Sequence, residues 1–389
     1  MPENDIVQRA AALSPELAGR AFETVAARRM LENNVERLRE AGLFRVLQPR
    51  MWGGLELNLH LHLDVVEEIS AACGATGWCL GVMHAHSWYL GLFEARAQRE
   101  VYGDNPDARI SAVLAPRGQA RRTGDGYVLS GFWPFCSGCH HSQWLLLGAQ
   151  VVDEAGAPLD EAVLLVPTAQ ADIQDDWYAG GLAGTGSNSL KLKDVHVPAH
   201  RSLSTPLARA GKAPGAGLHA SNLYHCAPVP ALALFLCGPA LGIARHALDA
   251  FLRRLPGRIV AYTFDEKQLE MPVTHVELAE AATRIDAARV LLHTVAGEIE
   301  SWAQKREVMP LERRAKMRMD CAFAVRLCLE ATETLYLASG GAGLAASNEV
   351  QLATRDLHAI NLHGKLALKT NLEMYGRMLV GLPANSPVV

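Results

Sequence analysis

Long apolar runs are missing from this 389-residue sequence, and no stretch approaches the roughly 20 residues of a membrane-spanning helix. The first residues, MPENDIVQRAAALSPELAGR, are mixed and charged, without the apolar centre of a secretory signal. Positive charge is not in excess either. Lys and Arg number 37 against 41 Asp and Glu, for a net charge of −4, and no basic stripe stands out; this argues against a nucleic-acid partner. Internal repeats and low-complexity tracts are lacking. One nucleotide-loop pattern occurs, Gly341-Ala342-Gly343-Leu344-Ala345-Ala346, but a helical stretch precedes it where a strand is required. It reads as a helix end, so no NAD(P)H-binding fold is visible. The expectation is a cytoplasmic protein with neither a membrane nor a nucleic acid as partner.

Cysteine is sparse, at eight residues, and only one C-x-x-C occurs: Cys136-Ser137-Gly138-Cys139, followed by His140 and His141. C-x-x-C-H is the spacing of covalent haem attachment, but that chemistry belongs to exported proteins. A zinc site calls for a second ligand pair at matched spacing, and none recurs. No metal is expected. Cys73, Cys79, Cys226, Cys237, Cys321 and Cys328 sit mostly in apolar segments and read as small core residues in a reducing compartment.

Half of the chain is apolar and a fifth charged, the balance of a globular protein with a large core. Residues 1–107 read as helical. AGRAFETVAARRMLENNVERLREAGLF carries apolar residues at helical spacing and closes on Gly42; GWCLGVMHAHSWYLGLF is nearly all apolar and reads as a buried helix holding His84 and His86. Residues 108–215 change texture to short β-rich runs parted by turns. In SLKLKDVHVP, Leu190, Leu192, Val195 and Val197 trace one face with a single slip. Helices return over 216–389. Thr274 and Glu277 fit a capping box opening a long helix, and MRMDCAFAVRLCLEATETLYLASGG ends on a glycine pair. The fold class is α+β, with a helical domain, a middle β domain and a second helical domain.

That order, with three motifs, resembles the acyl-CoA dehydrogenase fold: an N-terminal helical domain, a middle β-barrel and a C-terminal helical bundle. The motifs are Gly131-Phe-Trp-Pro-Phe-Cys-Ser-Gly138, the loop Gly181-Leu-Ala-Gly-Thr-Gly-Ser-Asn-Ser189, and Arg355-Asp-Leu-His-Ala-Ile-Asn-Leu-His363. More narrowly the chain resembles the oxygenase components of two-component, group D flavin-dependent monooxygenases, such as those acting on p-hydroxyphenylacetate and steroid phenols. The resemblance implies a strand along the flavin ring, with Phe135 as apolar platform and Ser137 at the N5 edge. Trp133, Cys136 and Gly138 belong to the same stretch, although strand alternation turns Cys136 away from its neighbours. Thr185, Gly186 and Ser187 are implied beside the ring or its phosphate, and Arg258 at the phosphate, sometimes across a subunit boundary, with Arg253 and Arg254 as nearby candidates for that place.

Many acyl-CoA dehydrogenases carry a carboxylate base shortly after the Arg-Asp pair. Here no carboxylate lies between Asp356 and Glu373, and His363 stands in that stretch. The resemblance makes His363 the catalytic residue that holds the flavin C4a-hydroperoxide protonated, with His358 as a competitor or substrate contact. His86 is implied at the substrate ring. The cofactor implied is diffusible reduced FMN or FAD. The partners are a separate NAD(P)H:flavin reductase, dioxygen and a small phenolic or heteroaromatic substrate, and the assembly is a homotetramer. The competing readings are an acyl-CoA dehydrogenase-like enzyme with tightly held FAD, and a non-catalytic flavin-binding scaffold.

Overall fold

The computed structural model describes residues 5–386 and 389. Six helices come first: α1 (Asp5–Gly19), α2 (Ala21–Ala27), α3 (Glu32–Glu40), α4 (Leu59–Ala72), α5 (Gly74–Leu90) and α6 (Ala95–Tyr102). Seven strands follow: β1 (Ile110–Thr123), β2 (Gly126–Trp133), β3 (Trp144–Val152), β4 (Pro158–Pro167), β5 (Asp172–Gln174), β6 (Ser189–Pro198) and β7 (Ser202–Ser204). The rest is helical again. A short α7 (Thr205–Arg209) and α8 (Pro228–Leu234) lead to α9 (Gly238–Arg254), α10 (Pro272–Lys305) and α11 (Leu311–Ala338). The last two are α12 (Glu349–Asn361) and α13 (Leu368–Leu379).

The strands form one sheet in the order β5-β6-β2-β1-β3-β4-β7, antiparallel except for the parallel pair β1–β3. The expected barrel is thus a single sheet with two edges. It has its own core, in which Leu129, Trp133, Leu145, Leu164 and Leu190 are sealed from solvent. The slip read in β6 is a β-bulge. Leu129 faces Val195 and Gly131 faces Leu192, so β6 carries an extra residue opposite Ser130. Asp194 takes φ 51° there, and its backbone N–H donates to Ser130 Oγ at 2.7 Å.

The two helical regions share one core. Residues of α1, α4 and α5 pack in the same apolar cluster as those of α9, α10, α11 and α12. Helix α4 starts where Asn58 Oδ1 accepts from the Leu61 N–H at 2.9 Å. Helix α5 lies in the middle, with every residue from Ala75 to Leu90 buried. Its close approach to α4 requires glycine at Gly77, where a Cβ would lie 1.9 Å from Ser70 Oγ.

Three expectations are corrected. The pattern before Gly42 is two helices, because Arg28 turns left-handed at φ 53° and ends α2. Helix α10 begins at Pro272 behind Met271, without a side-chain cap, so Thr274 is a buried residue of its first turn and no capping box forms. Residues Pro228–Gly257 do reach the length and hydropathy of a membrane span (30 residues, mean hydropathy 1.5 in the most apolar window), but 83% of that window is buried inside the protein. Its apolar surface faces the shared core.

Candidate active site

The 131–138 stretch was expected to run on as a strand. Instead β2 ends at Trp133, and Phe135 and Gly138 turn with φ 67° and 71°. The resulting loop is joined to the glycine-rich loop before β6 by backbone bonds. Cys136 N–H donates to Asn188 O at 3.1 Å, and Gly138 N–H donates to Thr185 O at 2.9 Å. A bulky residue at positive φ costs about 1–3 kcal/mol. Here it turns the Phe135 ring out of the β core, leaving it 69% exposed. Trp177 stands edge-on to it at 6.2 Å, and the exposed Tyr178 ring lies under the Arg28 guanidinium at 4.1 Å. Three aromatic rings with open surface form an apolar wall beside the loops.

Behind that wall runs a chain of hydroxyls. Trp78 Nε1–H donates to Ser137 Oγ at 3.0 Å; Ser137 Oγ meets Ser187 Oγ at 2.7 Å; Ser187 meets Thr185 Oγ1 at 2.6 Å. Ser111 Oγ, in β1, donates to the Ser137 carbonyl at 2.8 Å. Helix α5 contributes one face to this region. Trp78, Val82 and His86 follow at i, i+4 and i+8, so they stack along one side. They keep 6–8% of their surface while Cys79, Leu80 and Trp88 keep none, and Ser137 keeps 9%. These residues keep a little surface on one side of α5.

The turn after α12 supplies His363, whose ring stands 5.9 Å from that of Trp78. The Lys365 N–H donates to His363 Nδ1 at 3.2 Å, so the neutral ring carries its proton on Nε2. His86 has the opposite tautomer. Its Nδ1–H donates to the Ile110 carbonyl at 2.9 Å, which leaves Nε2 as an acceptor. Burial lowers both rings to about 4; at His363, Lys365 and Arg318 add repulsion. Both are neutral near pH 7, so His363 offers its Nε2–H as a hydrogen-bond donor.

Ser137, Thr185, Ser187, Phe135 and His363 thus gather with His86 around α5, and Gly138 and Gly186 shape the two loops. A Cβ on Gly138 would lie 2.6 Å from Met83 Cε. Other expected residues lie elsewhere. Trp133 is sealed in the sheet core with Nε1–H on Gly148 O at 2.8 Å, and Cys136 is buried in the same core. These two support the loop from beneath, because the strand that was to bring them to a ligand ends at Trp133. Arg258 donates to Ser339 O at the end of α11, where the carbonyls of the helix terminus attract a cation. His358 is half-exposed and pairs with Glu333 at 3.1 Å. Sequence reasoning missed Trp78, Ser111, Trp177 and the locking role of Asp356. The 78-82-86 spacing was a visible signal. Asp356 Oδ1 accepts from the Leu182 N–H at 2.6 Å, and burial raises its carboxyl to about 6.

The donor set fits a flavin ring: aromatic wall, small hydroxyls, two glycine-shaped loops and a neutral imidazole donor. Comparison with known proteins agrees. Residues 7–103 match the acyl-CoA dehydrogenase N-terminal domain and residues 234–367 the acyl-CoA dehydrogenase C-terminal domain. The chain is 35% identical to the flavin-dependent monooxygenase oxygenase subunit HsaA of Mycobacterium tuberculosis, over 97% of this chain and 95% of that protein. It is also 35% identical to the oxygenase component of an FADH(2)-dependent resorcinol hydroxylase of a Rhizobium species, over 98% and 95% of the two chains. The crystal structure of XiaF from a Streptomyces species, in complex with FADH2 and glycerol, superposes with a TM-score of 0.94 at 28% identity, covering 100% of this chain and 98% of that one. The chain belongs to the acyl-CoA dehydrogenase family, among the oxygenase components of its flavin-dependent monooxygenases.

Proposed function

We propose that this chain takes reduced flavin, FMN or FAD, from a separate NAD(P)H:flavin reductase and hydroxylates a small phenolic or heteroaromatic substrate with dioxygen. The observation that carries this reading is the paired tautomers: a donor at His363, whose ring stands 5.9 Å from Trp78, and an acceptor at His86 on the same face of α5 as Trp78, with no carboxylate base between Asp356 and Glu373.

Bound reduced flavin supplies the activation of dioxygen. The chain's residues do the rest. Phe135, Trp177 and Tyr178 give the ring an apolar face. Ser137, itself held by Trp78 and Ser187, presents a small hydroxyl at the ring edge. His363 Nε2–H would be the donor toward the oxygen that the flavin activates, and Trp78 and Val82 would line its apolar surroundings. His86 Nε2 accepts the substrate hydroxyl and orients the aromatic carbon for attack. With its ring lowered to about 4, this is positioning by a hydrogen bond more than full proton removal.

The assembly is a homotetramer in this reading, and Arg258 is the residue to reach a neighbour's flavin phosphate. Its support is the arm between α9 and α10, pinned by the Ile259–Lys267 bridge, on which Tyr262 and Phe264 are fully exposed. All eight cysteines are buried and unpaired, which suits a reducing, cytoplasmic setting.

The test is anaerobic mixing of the protein with reduced FMN or FAD, followed by dioxygen in a stopped-flow spectrometer. A long-lived transient, distinct from reduced and oxidised flavin and consumed faster with aromatic substrate, is expected. Immediate oxidised flavin, as in free solution, would overturn the reading.

A further inference from the structure

We propose that Cys136 and Cys139 are a peroxide-responsive dithiol pair, which closes to a disulfide beneath the flavin loop and reversibly weakens flavin binding. The inference rests on the reading above for the source of the peroxide and for the loop's ligand. The one C-x-x-C of the sequence has no part in the chemistry proposed so far. Its two ends meet in a tight turn. The Cys139 N–H donates to the Cys136 carbonyl at 3.3 Å, and Gly138 at φ 71° takes the third place of the turn. Residues at the two ends of such a turn have Cα atoms within about 7 Å, and a disulfide spans about 4.4–6.8 Å between Cα atoms. Both side chains are sealed from solvent and pack in the same sheet core, with Trp133 and Leu190.

The residues between the two thiols belong to the loop that would meet the flavin. Ser137 Oγ joins Ser187 Oγ at 2.7 Å, and Gly138 N–H donates to Thr185 O at 2.9 Å. Cys139 reaches the facing loop directly, its S–H donating to Gly186 O at 3.6 Å. A disulfide sulfur has no proton to donate, so oxidation cancels that bond and re-aims the turn that carries Ser137. The thiolate is the reactive form of cysteine. A hydrogen bond from the Cys136 thiol lowers Cys139 below the ordinary thiol range against the effect of burial, while the same contact and burial hold Cys136 well above it. Cys139 is therefore the attacking sulfur.

Hydrogen peroxide arises whenever electrons from reduced flavin reach dioxygen without entering product. The Cys139 sulfur attacks one peroxide oxygen and the O–O bond breaks. One oxygen stays as a sulfenic acid, and the other leaves as water with the thiol proton. The Cys136 sulfur then displaces the sulfenic oxygen, which leaves as a second water with the Cys136 proton. The two thiols give up two electrons and two protons, and one peroxide becomes two waters. In a reducing compartment such a bond is transient, which suits a sensor.

The test treats wild type with hydrogen peroxide, alkylates the thiols that remain free and digests without reductant. Mass spectrometry should find a peptide bridged between Cys136 and Cys139, two hydrogens lighter, and dithiothreitol should reverse it. After removal of peroxide, binding of reduced FMN, titrated anaerobically by tryptophan fluorescence, should weaken several-fold and recover on reduction. Cys139→Ser keeps a hydroxyl for Gly186 O and should bind FMN alike before and after peroxide. A bridge to any other cysteine, thiols that stay free, oxidation without a bridge, a bridge that leaves FMN binding unchanged, or an equal response in Cys139→Ser would overturn the proposal. The bridge is read by mass with added peroxide, so its failure is distinct from loss of the protected transient, which decides the oxygenase reading.

Discussion

His363 and His86 have the same charge and opposite hydrogen-bonding duties, because one backbone N–H and one backbone carbonyl select their tautomers. The two residues should therefore fail differently. In the proposed mechanism, His363→Ala removes the donor toward the activated oxygen. Flavin still oxidises, but product per NADH consumed falls several-fold, by analogy with general acid–base groups worth about 100-fold or more, and peroxide rises; unchanged coupling in a peroxide assay would refute the role. His86→Ala should slow hydroxylation of the aromatic substrate while the substrate-free transient forms at its normal rate, and normal product formation would remove His86 from the site. Coupling should also stay flat from pH 8 down to about 5, then decline as His86 protonates toward about 4 and loses its acceptor nitrogen, whereas His363 keeps its Nε2–H in either form. The histidines were legible because imidazoles are rare in apolar helices and in this motif. Trp78 was legible only through its spacing to Val82 and His86, since an indole in an apolar segment usually signals core alone, and Trp177 sits in an acidic loop without a motif of its own.

At the scale of elements, the site is a meeting of two loops, one helix face and one turn. The loop after β2 depends on Gly138, at φ 71° and against Met83 Cε. Gly138→Ala should destabilise the protein by about 1–3 kcal/mol through backbone strain and the contact with Met83. Chemical denaturation measures it, with Ser130→Gly as a control on the exposed bulge. A stability equal to wild type would show that the loop can relax. The slip in SLKLKDVHVP was readable because strand periodicity is strict, and one misplaced apolar residue betrays a bulge. That Phe135–Gly138 leaves the strand was not readable. Phe-Cys-Ser is sound strand composition, and the turn is stabilised by contacts to Thr185 and Asn188, some fifty residues away in sequence.

For the whole molecule, buried neutral histidines set the response to acid. His84, His86 and His363 are each lowered to about 4 from the usual 6.5, so below pH 6.5 the unfolded chain binds more protons than the folded one. Asp356, raised to about 6, acts in the opposite sense between its usual 3.8 and that value. Three groups outweigh one, so stability should rise with pH from about 4 to 6.5, with these four groups contributing at most about 2.7 kcal/mol per unit. Thermal melts across that range check the sign, and His84→Gln should flatten the slope. Assembly is the other property of the whole. Tyr262→Asp with Phe264→Asp should convert a tetramer to smaller species in light scattering after size exclusion. A wild type that elutes as a monomer would contradict the assembly itself.

The order of helical, β and helical segments, the buried character of the α5 segment and the missing carboxylate before Glu373 are properties of the sequence alone. Periodicity, composition and motif spacing are local quantities, and they survive in whatever way the chain is packed. Packing decided the rest. The helical halves merge into one core because α4 and α5 lack partners on their inner faces until α9 and α10 arrive. Asp356 locks the glycine-rich loop and Ser137 joins Trp78 only because segments far apart in sequence are brought within hydrogen-bonding range. Tautomers and lowered basicity follow from those contacts and from the exclusion of water, neither of which is present in the unfolded chain.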